Sequence, residues 1–348
     1  MKEVVFIIPN LGGGGAERVM AIVANYLAEL NYKVSFLFTK SVDIEYEINS
    51  NIKVIVNKED TSPIGQIKFI RHNLKSKKGA TCISFLTYQN LYMLTATIGL
   101  KIKTIVSERN DPSKTLYGKN WLNSIRNILY AHADRIVFQT NGAKMFFPKK
   151  IQKKGTIILN PINDKLPVPE DLKRKKEIVA VGRLTKQKNY PLLLKAFSKF
   201  SIEYPEYVLK IYGEGELKEE LKNLATKLKI EKKVYFMGFC EDVHNKIINA
   251  RMFVMSSEYE GLSNALLEAM AIGLPCISTD SPPGGARMVI KNGVNGILVE
   301  NNNEKELVDA LNILAKDDEL VDKLAENAIC IRKELSKDKI CKEWTFLV

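Results

Sequence analysis

Several features that would narrow the class of this protein at once are absent from its sequence. No apolar run among the 348 residues approaches the ~20 residues that a membrane-spanning helix needs. The N-terminal stretch also lacks the longer apolar region of a secretory signal. The five cysteines are scattered and include no C-x-x-C pair, so neither a disulfide framework nor a zinc site is expected. These absences favour a protein of the reducing cytoplasm.

Two nucleotide-binding fingerprints are also missing. Consecutive glycines at 12–15 follow an apolar run and open a predicted helix, but Glu17 stands where a dinucleotide fingerprint would have its last glycine. The chain contains no Gly-Lys-Ser or Gly-Lys-Thr triplet, which excludes a P-loop. A glycine run at a helix N-terminus can still bind an anion through its free N–H groups. A simple tight turn is an equally good interpretation.

The basic excess of the chain lies in its first half. The formal net charge is +12; residues 1–165 contain 24 Lys and Arg against 12 Asp and Glu, and the remainder contains 28 against 28. Such asymmetry indicates an anionic partner for the first half, either a phospholipid surface, a nucleic acid or a phosphorylated substrate. A solvated basic surface without a partner is the alternative.

Apolar, strand-like runs alternate with helical patterns along almost the whole chain. In the first half, strands are predicted at 4–8, 34–38, 52–56, 81–85, 104–107 and 135–139, and helices at 16–30, 64–77, 88–100 and 120–131. In the second half, strands are predicted at 178–181, 208–212, 234–236, 252–255, 275–278 and 296–299, with closing helices at 304–316 and 318–334. This alternation predicts an α/β protein with two parallel sheets, each covered by helices on both faces.

The two sheets imply two Rossmann-like, doubly wound domains. The predicted domains are 1–165 and 166–335, and the terminal segment 336–348 is expected to cross back to the first domain. The boundary is placed in the segment 160–172, where prolines cluster, because proline interrupts regular structure and lacks a backbone donor.

Two polar loops follow predicted strands, at 107–112 (SERNDP) and 181–191 (VGRLTKQKNYP). In doubly wound sheets, the carboxyl ends of the strands face the ligand crevice. Arg183 and Lys188 combine a planar fork of donors with a point charge, which suits a diphosphate. Asn189 is expected to cap the next helix. Because isolated surface cations are common, the shared location is what favours a functional interpretation.

The stretch 256–280 places two glutamates around the start of a short apolar helix. Glu260 lies in the loop before the helix, and Ser263 or Asn264 is the predicted N-cap. Glu268 falls one turn inside, so it lies either on a narrow solvent-facing stripe or buried with a partner, since unpaired burial is costly. A capped helix with acids near its positive end is the alternative without function.

Three further glycine-containing turns follow predicted strands. Residues 212–215 (YGEG) are interpreted mainly as a structural turn. In the segment 237–240 (MGFC), backbone atoms could meet the edge of a nucleotide base. The loop 282–287 (PPGGAR) lies near a position suited to an anion.

Together these motifs resemble the retaining glycosyltransferases of family four. The pairing of GRL-x-x-x-K-N with E-G-L-S-N-A-L-L-E-A-M-A-x-G-x-P-x-I-x-T-D is highly specific, and the resemblance covers essentially the whole chain. The segments GGGGAERV and SERNDP are similar to the bacterial branch that builds surface polysaccharides and lipid-linked oligosaccharides. The resemblance implies the GT-B architecture, in which an acceptor-binding and a donor-binding Rossmann-like domain face each other across a cleft.

The resemblance also implies a role for each matching residue. Arg183 and Lys188 would bind the donor diphosphate and stabilise its growing charge, and Glu260 would contact hydroxyls of the transferred sugar. Glu268 would accept hydrogen bonds from the ribose hydroxyls, and Phe239 would lie near the base, most often uracil in similar enzymes. The remaining donor-binding candidates, which would meet sugar and phosphate through their backbone, are Gly14, Gly15, Gly182, Gly261, Leu262, Ser263 and Asn264.

Two departures from the family pattern concern the acceptor side and the sugar. Many members carry a histidine near the anomeric centre, and here the matching position is Arg109, a further candidate catalytic residue. None of His72, His132 and His244 takes its place, since all three fall in predicted helices and are interpreted as structural or surface residues. Similar enzymes often have Pro-Arg-Glu after the second glycine pair, where this chain has Ala-Arg-Met at 286–288. The donor sugar therefore stays open.

The expected activity is transfer of a hexose or N-acetylhexosamine, with retention, from a nucleotide-diphosphate sugar, most simply a UDP-sugar, to a lipid-linked saccharide. No divalent-metal motif is visible and no cofactor is expected, so cationic side chains and helix N-termini would supply the electrostatic stabilisation. The enzyme would work in the cytoplasm, peripherally on the inner face of the cell membrane, and would not bind nucleic acid. The basic residues expected to contact anionic lipid are Lys68, Arg71, Lys75, Lys77, Lys78, Lys149, Lys150, Lys153 and Lys154.

Three other functions remain as alternatives. A nucleotide-sugar epimerase of the same architecture would consume the donor without an acceptor. A Rossmann dehydrogenase is disfavoured by the failed dinucleotide fingerprint. A basic nucleic-acid-binding protein would use the charge of the first half, but the usual aromatic and basic signatures are missing.

Overall fold

The computed structural model describes residues 2–116, 119–169 and 173–348. The chain forms two compact units. Unit 1 comprises Met1–Pro161 with Lys337–Val348, and unit 2 comprises Ile162–Ser336. The predicted linker 160–172 ends in three residues that lie outside the described part of the chain.

Unit 1 is built on a parallel sheet of seven strands. The strands are β1 Glu3–Ile8, β2 Lys33–Phe38, β3 Lys53–Val56, β4 Thr81–Phe85, β5 Lys103–Ser107, β6 Arg135–Phe138 and β7 Gly155–Ile157. Their spatial order is β3-β2-β1-β4-β5-β6-β7, so the direction of winding reverses between β1 and β4. Both of these strands are almost completely buried, as expected for a sheet with helices on both faces.

Helices cover this sheet and include the C-terminal segment. They are α1 Gly15–Glu29, α2 Pro63–Leu74, α3 Thr87–Thr97, α4 Asn120–His132, α5 Asn141–Met145, α6 Lys149–Gln152 and, at the C-terminus, α14 Lys337–Thr345. Helix α14 packs on α1, and its fully buried Trp344 lies with its ring centroid 5.4 Å from that of Phe85. The C-terminal segment is therefore part of the core of unit 1.

Unit 2 repeats the architecture with a parallel sheet of six strands. The strands are β8 Lys175–Val181, β9 Val208–Tyr212, β10 Val234–Gly238, β11 Ala250–Met255, β12 Cys276–Thr279 and β13 Ile297–Val299. The order is β10-β9-β8-β11-β12-β13, which places the reversal between β8 and β11. A crevice at the carboxyl ends of the strands on either side of such a reversal is the usual ligand site of doubly wound sheets.

The helices of unit 2 follow the strands in the same alternation. They are α7 Tyr190–Glu203, α8 Lys218–Lys227, α9 Val243–Ile247, α10 Asn264–Ala271, α11 Glu304–Lys316, α12 Asp318–Ala328 and α13 Ile331–Glu334. The core includes Phe197 and Phe200 of α7, packed against apolar residues of the sheet. The predicted α/β class, with two parallel sheets, is confirmed.

Three details differ from the sequence predictions. Strand β7 and the short helices α5 and α6 were not predicted, because three to five residues are too few to show a helical or strand period. The helix predicted at 318–334 is broken between α12 and α13, and α13 packs against α10. The side chain of Asn189 does not cap α7: the residue adopts a left-handed conformation and donates to Asn302 Oδ1 at 2.7 Å instead.

Within the described ranges, no helix is both long enough and apolar enough to cross a membrane.

Candidate active site

The switch point of unit 2 brings two loops of the predicted site together. The loop after β8 contains Arg183 and Lys188, and the loop after β11 contains Glu260. Two hydrogen bonds join the loops: the backbone N–H of Glu258 donates to Gln187 O at 2.8 Å, and Ser256 Oγ donates to Lys188 O at 2.9 Å. Because β8 and β11 are paired in parallel, Lys188 and Glu260 are in direct contact although more than seventy residues separate them in the sequence.

Lys188 and Glu260 form an ion pair at this point. Lys188 Nζ lies 2.5 Å from Glu260 Oε2, and the two side chains are only 14% and 15% exposed. Ser257 Oγ donates to the same carboxylate oxygen at 3.4 Å. Burial, together with the nearby Glu260 carboxylate, raises the pKa of the Tyr190 hydroxyl, which donates to Gly182 O at 3.0 Å. The pair is therefore held within a partly desolvated set of polar groups.

Arg183 is an exposed cation of the same loop. Within the part of the chain that the structure describes, no hydrogen-bond or ion-pair partner contacts its side chain. Its backbone turn is tightly packed: a Cβ added to Gly213 would lie 2.1 Å from Gly182 O, and one added to Gly215 would lie 2.4 Å from Leu184 O. The turn at 212–215 therefore packs against the loop and supports it, which agrees with its interpretation as a structural turn. The guanidinium of Arg183 stays available to a ligand.

The N-terminus of α10 adjoins Glu260. Ser263 occupies the N-cap position, although its side chain makes no capping hydrogen bond, and the preceding residues Gly261 and Leu262 are buried. The loop 282–287 packs on this turn, since Glu260 N donates to Pro282 O at 2.8 Å. At Gly285 an added Cβ would lie 1.7 Å from Gly261 O, so no larger residue fits there. The loop fixes the backbone at the positive end of the helix, and Asn264 is the first helical residue.

Glu268 is buried with a partner, which decides between the two alternatives stated for it. It is 9% exposed, and its Oε2 lies 2.8 Å from Nε2 of His244 on α9. The interpretation of His244 as only a structural or surface residue is therefore incomplete, because the imidazole orients a predicted ligand-binding carboxylate. The sequence contained no signal for this contact, since α9 has only five residues.

Phe239 extends the site toward the edge strand β10. Its ring is 77% exposed directly after the strand, where a planar group could stack on it. The preceding Gly238 has a positive φ of 73° and accepts a hydrogen bond from Gly213 N at 2.8 Å. The end of β10 is thereby tied to the turn that supports Arg183.

Unit 1 holds Arg109 at the carboxyl end of β5. Its Nη2 donates to Asn160 Oδ1 at 2.7 Å, and its Cζ lies 4.4 Å from the ring centroid of Phe85. Burial lowers the pKa of Arg109 to about 9, and the nearby Glu17 carboxylate opposes that shift. A buried guanidinium with an aromatic face beneath it is a rigid cation. Leu86, next to Phe85, has a positive φ of 75°, a strained conformation for a branched residue.

The glycine loop of unit 1 opens α1 with Gly14 at the N-cap. A Cβ added to Gly14 would lie 1.9 Å from Glu17 Oε2, and one added to Gly13 would lie 2.9 Å from Glu45 Oε2. Two carboxylates thus lie against the loop in which Gly14 and Gly15 were expected to meet a diphosphate. The diphosphate role of Gly14 and Gly15 stays a prediction, and it would require Glu17 to move or be neutralised.

Comparison with known proteins assigns the chain to a family. The family model described as Glycosyl transferases group 1 matches residues 163–329. A Haemophilus influenzae protein described as an uncharacterized glycosyltransferase is 31% identical over 354 residues, which cover 99% of each chain. This chain belongs to the group 1 glycosyltransferases. The resemblance to family four that its motifs indicated is confirmed.

Two further matches extend over the whole length of this glycosyltransferase. A Campylobacter jejuni relative is named N-acetylgalactosamine-N,N'-diacetylbacillosaminyl-diphospho-undecaprenol 4-alpha-N-acetylgalactosaminyltransferase, and it is 32% identical over 99% of this chain and 98% of its own. The crystal structure of Anabaena HepE in complex with UDP-glucose aligns with a TM-score of 0.83 over 99% of both chains, at 15% identity. The structural match confirms the predicted GT-B class of fold.

Three of the basic residues expected to contact lipid have partners inside the glycosyltransferase. Arg71 Nη1 donates to Ala96 O and Ile98 O at 2.8 Å, at the end of α3. Lys77 pairs with Glu3, and Lys154 Nζ donates to Ala131 O at 2.7 Å. Their contact with lipid stays a prediction, and it would have to compete with these intramolecular hydrogen bonds and the ion pair. The exposed members of the set are Lys68, Lys75, Lys78, Lys149, Lys150 and Lys153.

Sequence reasoning also missed a buried acid in unit 1. Glu108 accepts hydrogen bonds from Tyr130 Oη and from Thr87 Oγ1, the latter at 3.1 Å. Burial raises the pKa of the Glu108 carboxyl. The adjacent Arg109 and the polar character of the SERNDP loop gave no indication that this glutamate faces the core.

Among residues 2–116, 119–169 and 173–348, no group of three or more His, Cys, Asp or Glu side chains could hold a metal ion. The absence of a metal requirement stays a prediction.

Proposed function

We propose that this glycosyltransferase moves a hexose or N-acetylhexosamine from a UDP-sugar to a lipid-linked saccharide, with retention of the anomeric configuration. The observation that carries the proposal is the Lys188–Glu260 pair, which lies at the switch point of unit 2 between the exposed Arg183 and the N-terminus of α10. Two cationic side chains, Arg183 and Lys188, next to a helix N-terminus suit a diphosphate. The Glu260 carboxylate beside them suits sugar hydroxyls.

Each group of the donor would have its own binding residues in this site. The diphosphate would bind Arg183, Lys188 and the backbone at Gly182, and the sugar would bind Glu260 and the amides from Gly261 to Asn264. The ribose hydroxyls would donate to Glu268, which His244 holds in place. The uracil would lie near Phe239, whose ring is exposed.

The chemical step would depend mainly on charge placement. As the glycosidic bond breaks, negative charge grows on the leaving diphosphate, and Arg183 and Lys188 are placed to stabilise it more than they stabilise the bound donor. Glu260 is ion-paired and Glu268 is hydrogen-bonded to His244, so neither resembles a free nucleophile for a glycosyl-enzyme intermediate. This supports front-face transfer, in which a donor phosphate oxygen accepts the proton of the attacking hydroxyl.

The acceptor is inferred from the relatives. The Campylobacter jejuni protein, 32% identical over nearly the full length, is named for a saccharide linked through a diphosphate to undecaprenol. An acceptor of this class carries two negative charges and a membrane-bound chain. The basic excess of the first half supports such a partner, and the enzyme would then work at the cytoplasmic face of the membrane.

Donor binding and transfer can be tested separately. Thermal unfolding is measured with UDP-, GDP- and TDP-sugars, and stabilisation by UDP-sugars alone is expected. Transfer is then measured with synthetic polyprenyl-diphosphate saccharides, and the anomeric configuration of the product is read by NMR coupling constants. An inverted product would overturn the retaining mechanism. Donor consumption without any acceptor would point to an epimerase instead.

A further inference from the structure

Helix α4 of unit 1 presents an apolar stripe to solvent. Trp121 is 64% exposed, Ile125 40% and Ile128 61%. The three residues are spaced i, i+4 and i+7, so they share one face of the helix. The opposite face is occupied by the buried Arg126 and Tyr130. A helix of a soluble globular domain normally turns polar residues outward, so this face calls for a partner.

A second exposed apolar pair contacts α4 at the margin of its buried face. Met145 is 71% exposed at the end of α5, and Phe146 follows it at 44%. The Phe146 ring centroid lies 5.2 Å from Cζ of Arg126, which connects the pair to α4. We name these five exposed side chains the α4 patch: Trp121, Ile125, Ile128, Met145 and Phe146.

The charge around the α4 patch identifies the kind of partner. Helix α6, which packs on α4, carries the exposed residues Lys149 and Lys150, and Lys153 follows it. Between residues 112 and 163 the chain contains nine Lys and Arg and a single acid, Asp134, whose carboxylate is bonded to Thr104. Exposed indole and aliphatic side chains with lysines nearby suit a surface that has anionic groups outside and an apolar layer beneath them.

We infer that the α4 patch docks the enzyme onto an anionic lipid bilayer, with Trp121, Ile125 and Ile128 entering the interface and the lysines of 149–153 contacting lipid phosphates. This goes beyond the proposed function, because neither the activity nor the donor site specifies which surface meets the membrane. Helix α2 carries one large exposed apolar side chain, Ile64, near the exposed Lys68, Lys75 and Lys78, whereas the α4 patch presents five.

The tryptophans provide a direct readout. Trp344 is fully buried in unit 1, whereas Trp121 is exposed, so a change in emission on adding lipid reports chiefly on the α4 patch. With the full-length enzyme, phosphatidylcholine vesicles containing phosphatidylglycerol are expected to shift emission to shorter wavelength. Brominated acyl chains are expected to quench it. Trp121→Phe should abolish both signals while vesicle co-flotation persists.

Substitutions separate apolar insertion from charge. Trp121→Ser combined with Ile128→Ser is expected to lower vesicle partitioning at least about tenfold at any salt concentration. Replacing Lys149, Lys150 and Lys153 with Gln is expected to lower it about a hundredfold at low salt, about fivefold for each lysine. The matched controls lie in unit 2: Ile202→Ser, at an 82% exposed position, and the exposed Lys195, Lys227 and Lys232 changed to Gln. Both controls should partition like the unchanged enzyme.

Several results would overturn the inference. One is the absence of binding to anionic vesicles, and another is binding that the Trp121/Ile128 variant retains. A third is a lipid-free dimer that this variant dissociates, which would make the α4 patch a contact between copies. Thermal stabilisation by UDP-sugar, measured on every variant, distinguishes a failure of membrane docking from a failure of the proposed donor binding. A docking variant that still gains stability from the donor has lost only the membrane surface.

Discussion

The ammonium group of Lys188 lies 2.5 Å from a carboxylate oxygen of Glu260, and this contact joins the loops that follow β8 and β11. The pair has two consequences. It fixes the position of a cation and of a hydroxyl-binding carboxylate before any donor arrives, and it makes each of them depend on the other for charge balance.

Removing either member of the pair should cost stability as well as activity. Lys188→Met leaves the Glu260 carboxylate without its counter-ion, and Glu260→Gln does the converse. Breaking a buried pair costs about 3–5 kcal/mol. Because both side chains retain some exposure, we expect about 2–3 kcal/mol in the free energy of unfolding. The double variant should be more stable than Lys188→Met, which a double-mutant cycle by chemical denaturation would measure. Strictly additive losses would show that the pair is not coupled.

Arg183 should contribute mainly to the rate of transfer. An exposed guanidinium that is free in the donor-free enzyme and pairs with the leaving diphosphate supplies stabilisation in the transition state. Losing such a contact costs about 3–4 kcal/mol, so Arg183→Ala should lower kcat on the order of a hundredfold or more. Arg183→Lys should be intermediate, because lysine lacks the planar fork. Steady-state kinetics with the exposed neighbour Lys186→Ala as control provides the test, and near-unchanged turnover in Arg183→Ala would remove this residue from the mechanism.

His244 should act on donor affinity through Glu268. Without the imidazole at 2.8 Å, the carboxylate can rotate away from the ribose. His244→Ala is expected to raise KM for the UDP-sugar about tenfold, about 1.4 kcal/mol, while kcat changes much less. The loss should be specific to the ribose: UDP should bind better than its 2′-deoxy analogue in the unchanged enzyme, and this preference should shrink in the variant. His72→Ala, at an exposed histidine of α2, is the control. An unchanged preference for ribose would leave His244 a structural residue.

Sequence patterns were sufficient for the parts of the fold and site that are local. Strand β1 was predicted to within one residue of its observed bounds, because a buried parallel strand is a nearly continuous apolar run. Lys188 and Glu260 could be placed in one crevice, since each follows a strand and the carboxyl ends of parallel strands meet. For Glu268 of α10, the sequence left burial with a partner and a solvent-facing position as alternatives.

Contacts between distant segments could not be predicted. The partner of Glu268 lies on a helix of five residues, too short to show an apolar period. Nor did composition reveal that Lys77 pairs with Glu3, because a salt bridge between the start of β1 and the loop before β4 depends on the order of strands in the sheet. The helix predicted at 120–131 also gave no indication of which of its faces is buried.

The turn at Gly213 should tolerate no side chain. Its φ is +135°, and an added Cβ would lie 2.1 Å from Gly182 O, so Gly213→Ala must displace the backbone that presents Arg183. We expect a loss on the order of 3 kcal/mol in the free energy of unfolding, from strain and overpacking together. Gly293 is a matched control, with φ +73° and open space around the added Cβ. Its change to Ala should cost only about 1–2 kcal/mol. Circular dichroism during urea unfolding measures both, and equal losses would contradict the clash.

Glu108 should make the stability of unit 1 depend on pH. Burial raises the pKa of its carboxyl above the ordinary 4.5, so the folded chain holds this proton more tightly than the unfolded chain. The resulting stabilisation is complete below pH 4.5 and is lost as pH rises through the folded pKa. In Glu108→Gln the side chain stays neutral at every pH. As pH rises, the free energy of unfolding of this variant should therefore increase relative to that of the unchanged enzyme, by at most about 1.4 kcal/mol per pH unit.

Both tryptophans lie in unit 1, so their fluorescence follows the unfolding of this unit in urea. The exposed Glu231→Gln should track the unchanged enzyme at every pH. If Glu108→Gln tracked it as well, the carboxyl would be ionised in the fold, and the hydrogen bonds from Tyr130 and Thr87, with the nearby Arg126, would outweigh its burial.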